Sequence, residues 1–184
     1  LAATVTLQGE VLPDKAVLRS GAAEADLLYV TGNPGDAVAG RLCEGVSDAE
    51  HYLAEQFLYP SPRVHEGLSL AGVASAMIDI SDGLHPDINH LLMASGLGAE
   101  LQIEALPLSD ELVATVGNDK AIEMALLGGD DYELCFTVSQ DKDSEFRELA
   151  ASWHCKVTHL GTVVQGKGAC WSLAGKSFVV PDAG

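Results

Sequence analysis

Two short stretches carry the residues best suited to chemistry, Ile78-Asp79-Ile80-Ser81-Asp82-Gly83 and Gly128-Gly129-Asp130-Asp131-Tyr132-Glu133. In each, carboxylates stand at the abrupt end of an apolar segment. Packing explains them poorly, because a charge beside a core is costly unless something pairs with it. Clustered oxygen donors suit a hard divalent cation, and such a cation commonly accompanies phosphate. Asp79 and Asp82 span a strand end and the turn after it, which lets both side chains converge where an uninterrupted strand would not. Ser81 adds a hydroxyl between them, and Gly83 leaves the backbone room for a ligand or a positive φ. This pattern points to a Mg2+ or nucleotide-phosphate site. The competing reading is structural: Asp82 caps the helix that follows, and Asp79 pairs with a neighbouring backbone group. In the second stretch, paired glycines permit close approach of backbone to ligand. Asp130, Asp131 and Glu133 repel one another unless a cation or buried donor compensates. A solvated turn is the alternative.

Other chemistry finds less support. Arg19, in Val17-Leu18-Arg19-Ser20-Gly21, and Arg63, in Pro62-Arg63-Val64, could each hold a phosphate bidentately; a surface role is the simpler alternative for both. His85 and His90 are five apart and do not share a helix face, and the six histidines show no metal-ligand spacing. No Walker A loop, GxGxxG turn or GxSxG elbow occurs, which leaves a P-loop kinase or a hydrolase triad unsupported. Gly-Gly-Asp-Asp-Tyr superficially resembles the GGDEF signature of diguanylate cyclases, but the upstream motif expected of that family is missing.

These side chains need elements to place them. Apolar alternation predicts strands over Thr4–Val11, Asp26–Thr31, Ser75–Ile80, Ala99–Ile103, Glu133–Val138 and Lys156–Val164, with two more in the tail around Gly175. Helices are expected from Asp36, as N-cap, to Glu44, over Asp48–Leu58, after Ser61-Pro62, and from Pro86 to a stop at Gly96. Three more are expected over Ser109–Val116, Lys120–Leu127 and Asp143–Ser152. Strands and helices interleave, so the fold class is α+β, a mixed sheet with packed helices.

Composition bounds the partners. The 184 residues are 47% apolar, enough for a core, and ten basic against 27 acidic residues give a net charge of −17. That argues against nucleic acid and anionic membranes, both polyanions. The four cysteines form no CxxC pair, so a zinc knuckle is not expected and a reducing cytoplasm is the simpler location. No signal peptide or membrane-length apolar run is visible. Leu1 follows no methionine, so the chain reads as a piece of a longer protein, with ordinary processing as the alternative.

Five segments in series resemble a known family. They are Leu18-Arg19-Ser20-Gly21-Ala22, Tyr29-Val30-Thr31-Gly32-Asn33-Pro34-Gly35-Asp36, Pro60-Ser61-Pro62-Arg63-Val64, and the two carboxylate stretches, the second running on into Leu134. Together they look like the thiamine-monophosphate kinases of the aminoimidazole ribonucleotide (AIR) synthetase superfamily. The resemblance implies transfer of the γ-phosphoryl of ATP to thiamine monophosphate, with metal clamps and positioning rather than a covalent intermediate. It implies that Asp79 and Asp82 ligate Mg2+, that Arg19 and Ser81 contact ATP phosphates, and that Glu133 faces thiamine monophosphate. It also implies that residues 1–20 are the last strand segment of a missing amino-terminal ATP/Mg domain, and residues 21–184 the carboxy-terminal AIR synthase-related domain. The partners expected are ATP, thiamine monophosphate, that missing domain and, as an open alternative, a second copy of the chain. Two rival functions stand beside this one: another ATP-using member of the superfamily, and a non-enzymatic acidic cation-binding module.

Overall fold

The near-continuous apolar runs Leu27–Thr31 and Leu134–Val138 must, as strands, send neighbours to opposite sides of a sheet and so need cover on both faces. The computed structural model of the chain, which describes all residues except 1, 3, 7, 14 and 182–184, realises that demand. Strands β1 (Leu27–Thr31), β2 (Ala74–Asp79), β3 (Gly98–Gln102), β4 (Leu134–Val138), β5 (Val157–Val164), β6 (Gly168–Leu173) and β7 (Lys176–Phe178) form one sheet in the order β2-β4-β1-β5-β3-β6-β7. Neighbours are antiparallel except β3 and β6, which run parallel. This is the mixed α+β sheet that the sequence predicts.

Each face of the sheet has its own core. Leu28 and Val30 of β1 join Ile78, Cys135 and Leu160 on one side, while Tyr29 joins Phe136 and Val138 on the other. Helix α4 (Leu84–Ser95) covers the first side. Its Ile88, Leu91 and Leu92 are fully buried, each stabilising the fold by about 1.5–3 kcal/mol. Helix α7 (Asp143–Ala150) covers the second, inserting Phe146 against Tyr29 and Phe136. A third cluster forms where α1 (Asp36–Leu42), α2 (Asp48–Leu58), α5 (Asp110–Val116) and α6 (Asn118–Leu127) meet, around Leu53, Leu112 and Ala121. The short helix α3 (Val64–Ser69) links α2 to β2.

Three local expectations need correction. No strand forms among the described residues of Thr4–Val11; Val5 and Val11 are 83% and 63% exposed, and Leu7 lies outside the described residues. Alternation there meets no partner strand, and a strand without a ladder has little to hold it. Helix α1 begins at Asp36, with Gly35 in the N-cap position at φ 99°. Helix α3 has Arg63 rather than Ser61 in the N-cap position, with no side-chain cap, and Ser61 sits ahead of the helix.

Candidate functional site

The two carboxylate stretches lie side by side. The β2–β4 ladder continues beyond the strands: Ile80 N–H donates to the Glu133 carbonyl (2.8 Å), Tyr132 N–H to the Ile80 carbonyl (2.9 Å) and Asp130 N–H to the Ser81 carbonyl (3.1 Å). Gly129 makes this approach possible. A Cβ there would stand 2.3 Å from the Ser81 carbonyl oxygen, nearer than side chains tolerate.

Asp82 is exposed in the turn leading into α4, which has no side-chain cap, so the capping role weighed for Asp82 is not the one it plays. The turn is held instead by Asp87, 2% exposed, whose Oδ2 accepts from Ser81 N–H (2.8 Å) and Asp82 N–H (3.0 Å). Donor atoms of Asp82, Asp87 and His90 come within 4.8 Å of one another. Asp79 stands apart from that group, lining a second hollow with Pro62, Arg63 and Tyr132. Arg19 is exposed beside the edge strand β2; the preceding Leu18 carbonyl accepts from Met77 N–H (2.9 Å).

Glu133 takes a different position. It is 8% exposed and held by three donors: Arg63 Nε (2.7 Å) and Nη2 (2.6 Å) grip its two oxygens, and Thr31 Oγ1 donates to Oε2 (2.5 Å). The Thr31 oxygen in turn accepts from Leu134 N–H (2.8 Å). Gly32 leaves room for the carboxylate, since a Cβ would fall 2.0 Å from Oε1. Arg63 thus serves a half-buried ion pair, not the surface role weighed for it.

Glu133 shares a cavity of about 200 Å³ with Asp36, Asp131, Tyr52 and Arg63. Asp131 accepts from Gly35 N–H (2.9 Å to Oδ2) and Ala37 N–H (3.3 Å to Oδ1), tying the second stretch to the start of α1. Asp36 accepts from Ser109 Oγ (2.6 Å). Burial pushes the Asp131 carboxyl up to about 7 and the Asp36 carboxyl to about 6, with neighbouring carboxylates adding to both and the hydrogen bonds pulling back. Sequence reasoning took Asp36 for a helix cap, passed over Thr31, Tyr52 and Asp87, and set His90 aside for want of metal-ligand spacing. The signal for Asp36 was present: it follows a buried strand and a Gly-Asn-Pro-Gly break, the same grammar as the other two acidic stretches.

Acidic side chains at the end of β2 and in the turn after it stand beside an open polar cavity on a mixed α+β sheet. Comparison gives this arrangement its family. Residues 23–170 match the family described as AIR synthase related protein, C-terminal domain, and the chain belongs to it. Its similar relatives are thiamine-monophosphate kinases. That of Salmonella typhimurium is 44% identical over 146 residues, covering 76% of this chain and 45% of the relative. That of Buchnera aphidicola subsp. Schizaphis graminum is 33% identical over 180 residues, covering 91% and 54%. The chain therefore spans about half the length of the curated relatives it matches. Among solved structures, the thiamine-monophosphate kinase of Stenotrophomonas maltophilia superposes with a TM-score of 0.83 at 34% identity, over 91% of this chain and 56% of the other. AaThiL complexed with AMPPCP and TMP gives 0.73 at 35% identity, over 88% and 52%. Escherichia coli HypE, a hydrogenase maturation protein, shares the fold at 20% identity and a TM-score of 0.68, over 92% and 53%.

Proposed function

We propose that this chain supplies the carboxy-terminal half of an ATP-dependent kinase that converts thiamine monophosphate to thiamine diphosphate. The observation that carries the reading is the backbone pairing of Ile80–Ser81 with Asp130–Glu133. It joins the exposed Asp82 turn to the strand end that carries Glu133 and its cavity. Phosphoryl transfer rests on positioning and charge stabilisation, and this ribbon holds the groups for both in one register.

In this reading Asp82, from its turn, and Asp79, from the neighbouring hollow, each offer a carboxylate to Mg2+. Both are exposed carboxylates at a strand end, and the hard oxygen donors fit the ion. When bound, Mg2+ offsets phosphate charge. Arg19 and Ser81 contact ATP phosphates. Glu133 faces the acceptor from its cavity, with Arg63 and Thr31 fixing its orientation. The remaining phosphate and metal contacts come from an amino-terminal domain, of which residues 1–20 form the end and to which residues 21–184 are joined. The reading places the enzyme in the cytoplasm, where its co-substrate is made. No helix among the described residues is long and apolar enough to cross a membrane.

The test is an assay of thiamine diphosphate formation from ATP, Mg2+ and thiamine monophosphate. The full-length protein carrying this chain is expected to turn over and the 184-residue chain alone is not. Asp82→Asn in the full-length protein is expected to lower kcat by about 100-fold or more, the scale of losing one transition-state charge contact. Absence of thiamine diphosphate with the full-length protein would overturn the reading.

A further inference from the structure

The side of the sheet that carries α4 has a hollow of its own. It lies between the last turns of α4 and the turn that joins β5 to β6, lined by Asn89, Met93, Gly96, Leu97, Lys167 and Gly168. None of these residues lines the Glu133 cavity or the Asp79 hollow. Its volume is about 420 Å³, within the roughly 300–1,000 Å³ typical of small-molecule pockets.

The floor is apolar. Met93 is 74% exposed, although Leu91 and Leu92 just before it are fully buried. A flexible thioether chain left in water adapts to apolar ligands of varied shape. Backbone groups that could make this floor polar are already engaged. Gly96 N–H donates to the Met93 carbonyl (3.2 Å) and Leu97 N–H to the Leu92 carbonyl (3.1 Å), closing the helix end. The Asn89 side chain is tied at both ends: Oδ1 accepts from Ala169 N–H (2.9 Å) and Nδ2 donates to the His85 carbonyl (3.0 Å). Of the six lining residues, Lys167 alone is charged. It is exposed, and among the described residues no carboxylate stands within ion-pairing distance of it. An unpaired ammonium beside an apolar floor attracts an anion that also carries apolar surface.

We infer that this hollow binds a small amphiphilic carboxylate, with its apolar body on Met93 and Leu97 and its carboxylate against the Lys167 ammonium. A nucleotide fits it poorly, since one ammonium offsets only part of a phosphate chain and no aromatic ring lines the hollow to stack on a base. The net charge of −17 repels an anionic membrane, so the ligand is a soluble molecule. The hollow is preset. Asn89 holds α4 to β6, and Gly168 lets the turn come close, since a Cβ there would stand 3.1 Å from Asn89 Oδ1. Little ordering remains to be done on binding.

The experiment titrates octanoate, 1-octanol and octylammonium, each below its micellar concentration, into the 184-residue chain and into the full-length protein. Amide and methionine-methyl NMR shifts report binding, at physiological salt, where distant surface charges are screened. Saturable shifts are expected at Met93, Gly96, Leu97, Lys167 and Gly168, with octanoate bound best and octylammonium worst. Octanoate should exceed octanol by about two- to fivefold, the scale of an exposed ion pair. Lys167→Glu is expected to reverse the order, so that octylammonium binds best. Met93→Asp is expected to weaken octanol and octanoate alike, by about fivefold or more, through lost apolar contact. Both side chains are exposed, and unchanged shifts in the sheet check that the variants fold. Equal affinity for octanoate and octylammonium in wild type, or an order that Lys167→Glu leaves unchanged, overturns the inference. So do shifts spread over other exposed apolar residues such as Val64 and Leu68, or binding that is lost in the full-length protein. None of these readouts depends on phosphoryl transfer, so the inference and the kinase reading fail separately.

Discussion

Thr31 shows how much one hydroxyl can settle. It donates to Glu133 Oε2 and accepts from Leu134 N–H, so it joins β1 to the acidic end of β4 from a fully buried position. Thr31→Val keeps the shape and strands both partners; we expect a loss of about 1–3 kcal/mol, read by chemical denaturation, with Thr31→Ser recovering most of it. Asp131 makes a separate prediction about pH. Its folded pKa of about 7 stands above the ordinary 3.8, and that of Asp36 is about 6. Between pH 4 and 7 the folded chain therefore binds more protons than the unfolded one. The sign follows: this contribution to stability is fully present below about pH 4 and is lost as pH rises through 6 and 7. The denaturation midpoint should fall between pH 5 and pH 8, and Asp131→Asn should flatten that fall. An unchanged slope in the variant would assign the pH dependence to other groups.

At the scale of elements, the turn between β2 and α4 depends on a carboxylate from inside the helix. Asp87 reaches back to Ser81 N–H and Asp82 N–H. Asp87→Ala leaves these donors without their acceptor, and we expect a cost of about 1–3 kcal/mol. In the full-length protein it should also raise the Mg2+ concentration needed for half-maximal rate, because the Asp82 turn loses its strap. Gly129 acts on the neighbouring element. An alanine Cβ would stand 2.3 Å from the Ser81 carbonyl oxygen, so the two acidic segments must part. Hydrogen exchange should then show faster exchange at Asp130 and Tyr132, whose N–H groups make the pairing, while Phe136 and Val138 in the β4 core keep their protection. Uniform protection across all four would mean that the ribbon absorbs the methyl.

For the whole molecule, the cores are built from residues that follow Gly21: Ala22 packs at the edge of the first, and the rest come from β1 onward. The described residues among 2–16 are exposed throughout. Among the described residues, the first backbone hydrogen bond that this end makes to the sheet is at Leu18, to Met77. Removing residues 1–16 is therefore expected to leave unfolding cooperative and to change stability by less than about 1 kcal/mol, or roughly 2–4 °C in Tm. A larger drop would assign this segment to the domain's own core.

Much of the local structure was legible in the sequence because its causes are local. Helix α2 runs over Asp48–Leu58 as read, with Ser47 and Glu50 closing a capping box, and α4 stops at Gly96 in the left-handed conformation that the glycine allows. The two acidic stretches stood out because charge at the end of an apolar run needs an explanation wherever the chain goes. Thr4–Val11 shows the limit of the same logic: its alternation is real, but a ladder needs a second strand, and periodicity does not say whether one is there. Strand order, with β4 between β2 and β1, was likewise beyond local reading, since it rests on pairings between residues far apart in the chain. That order decides the site. It brings Asp36, Arg63, Asp131 and Glu133 around one cavity and turns Arg63 from a candidate surface residue into the half-buried partner of Glu133. Residue type determines which groups carry charge or hydrogen bonds. Only the tertiary structure decides which of them meet and how much water stands between them, and on those two quantities electrostatic strength depends.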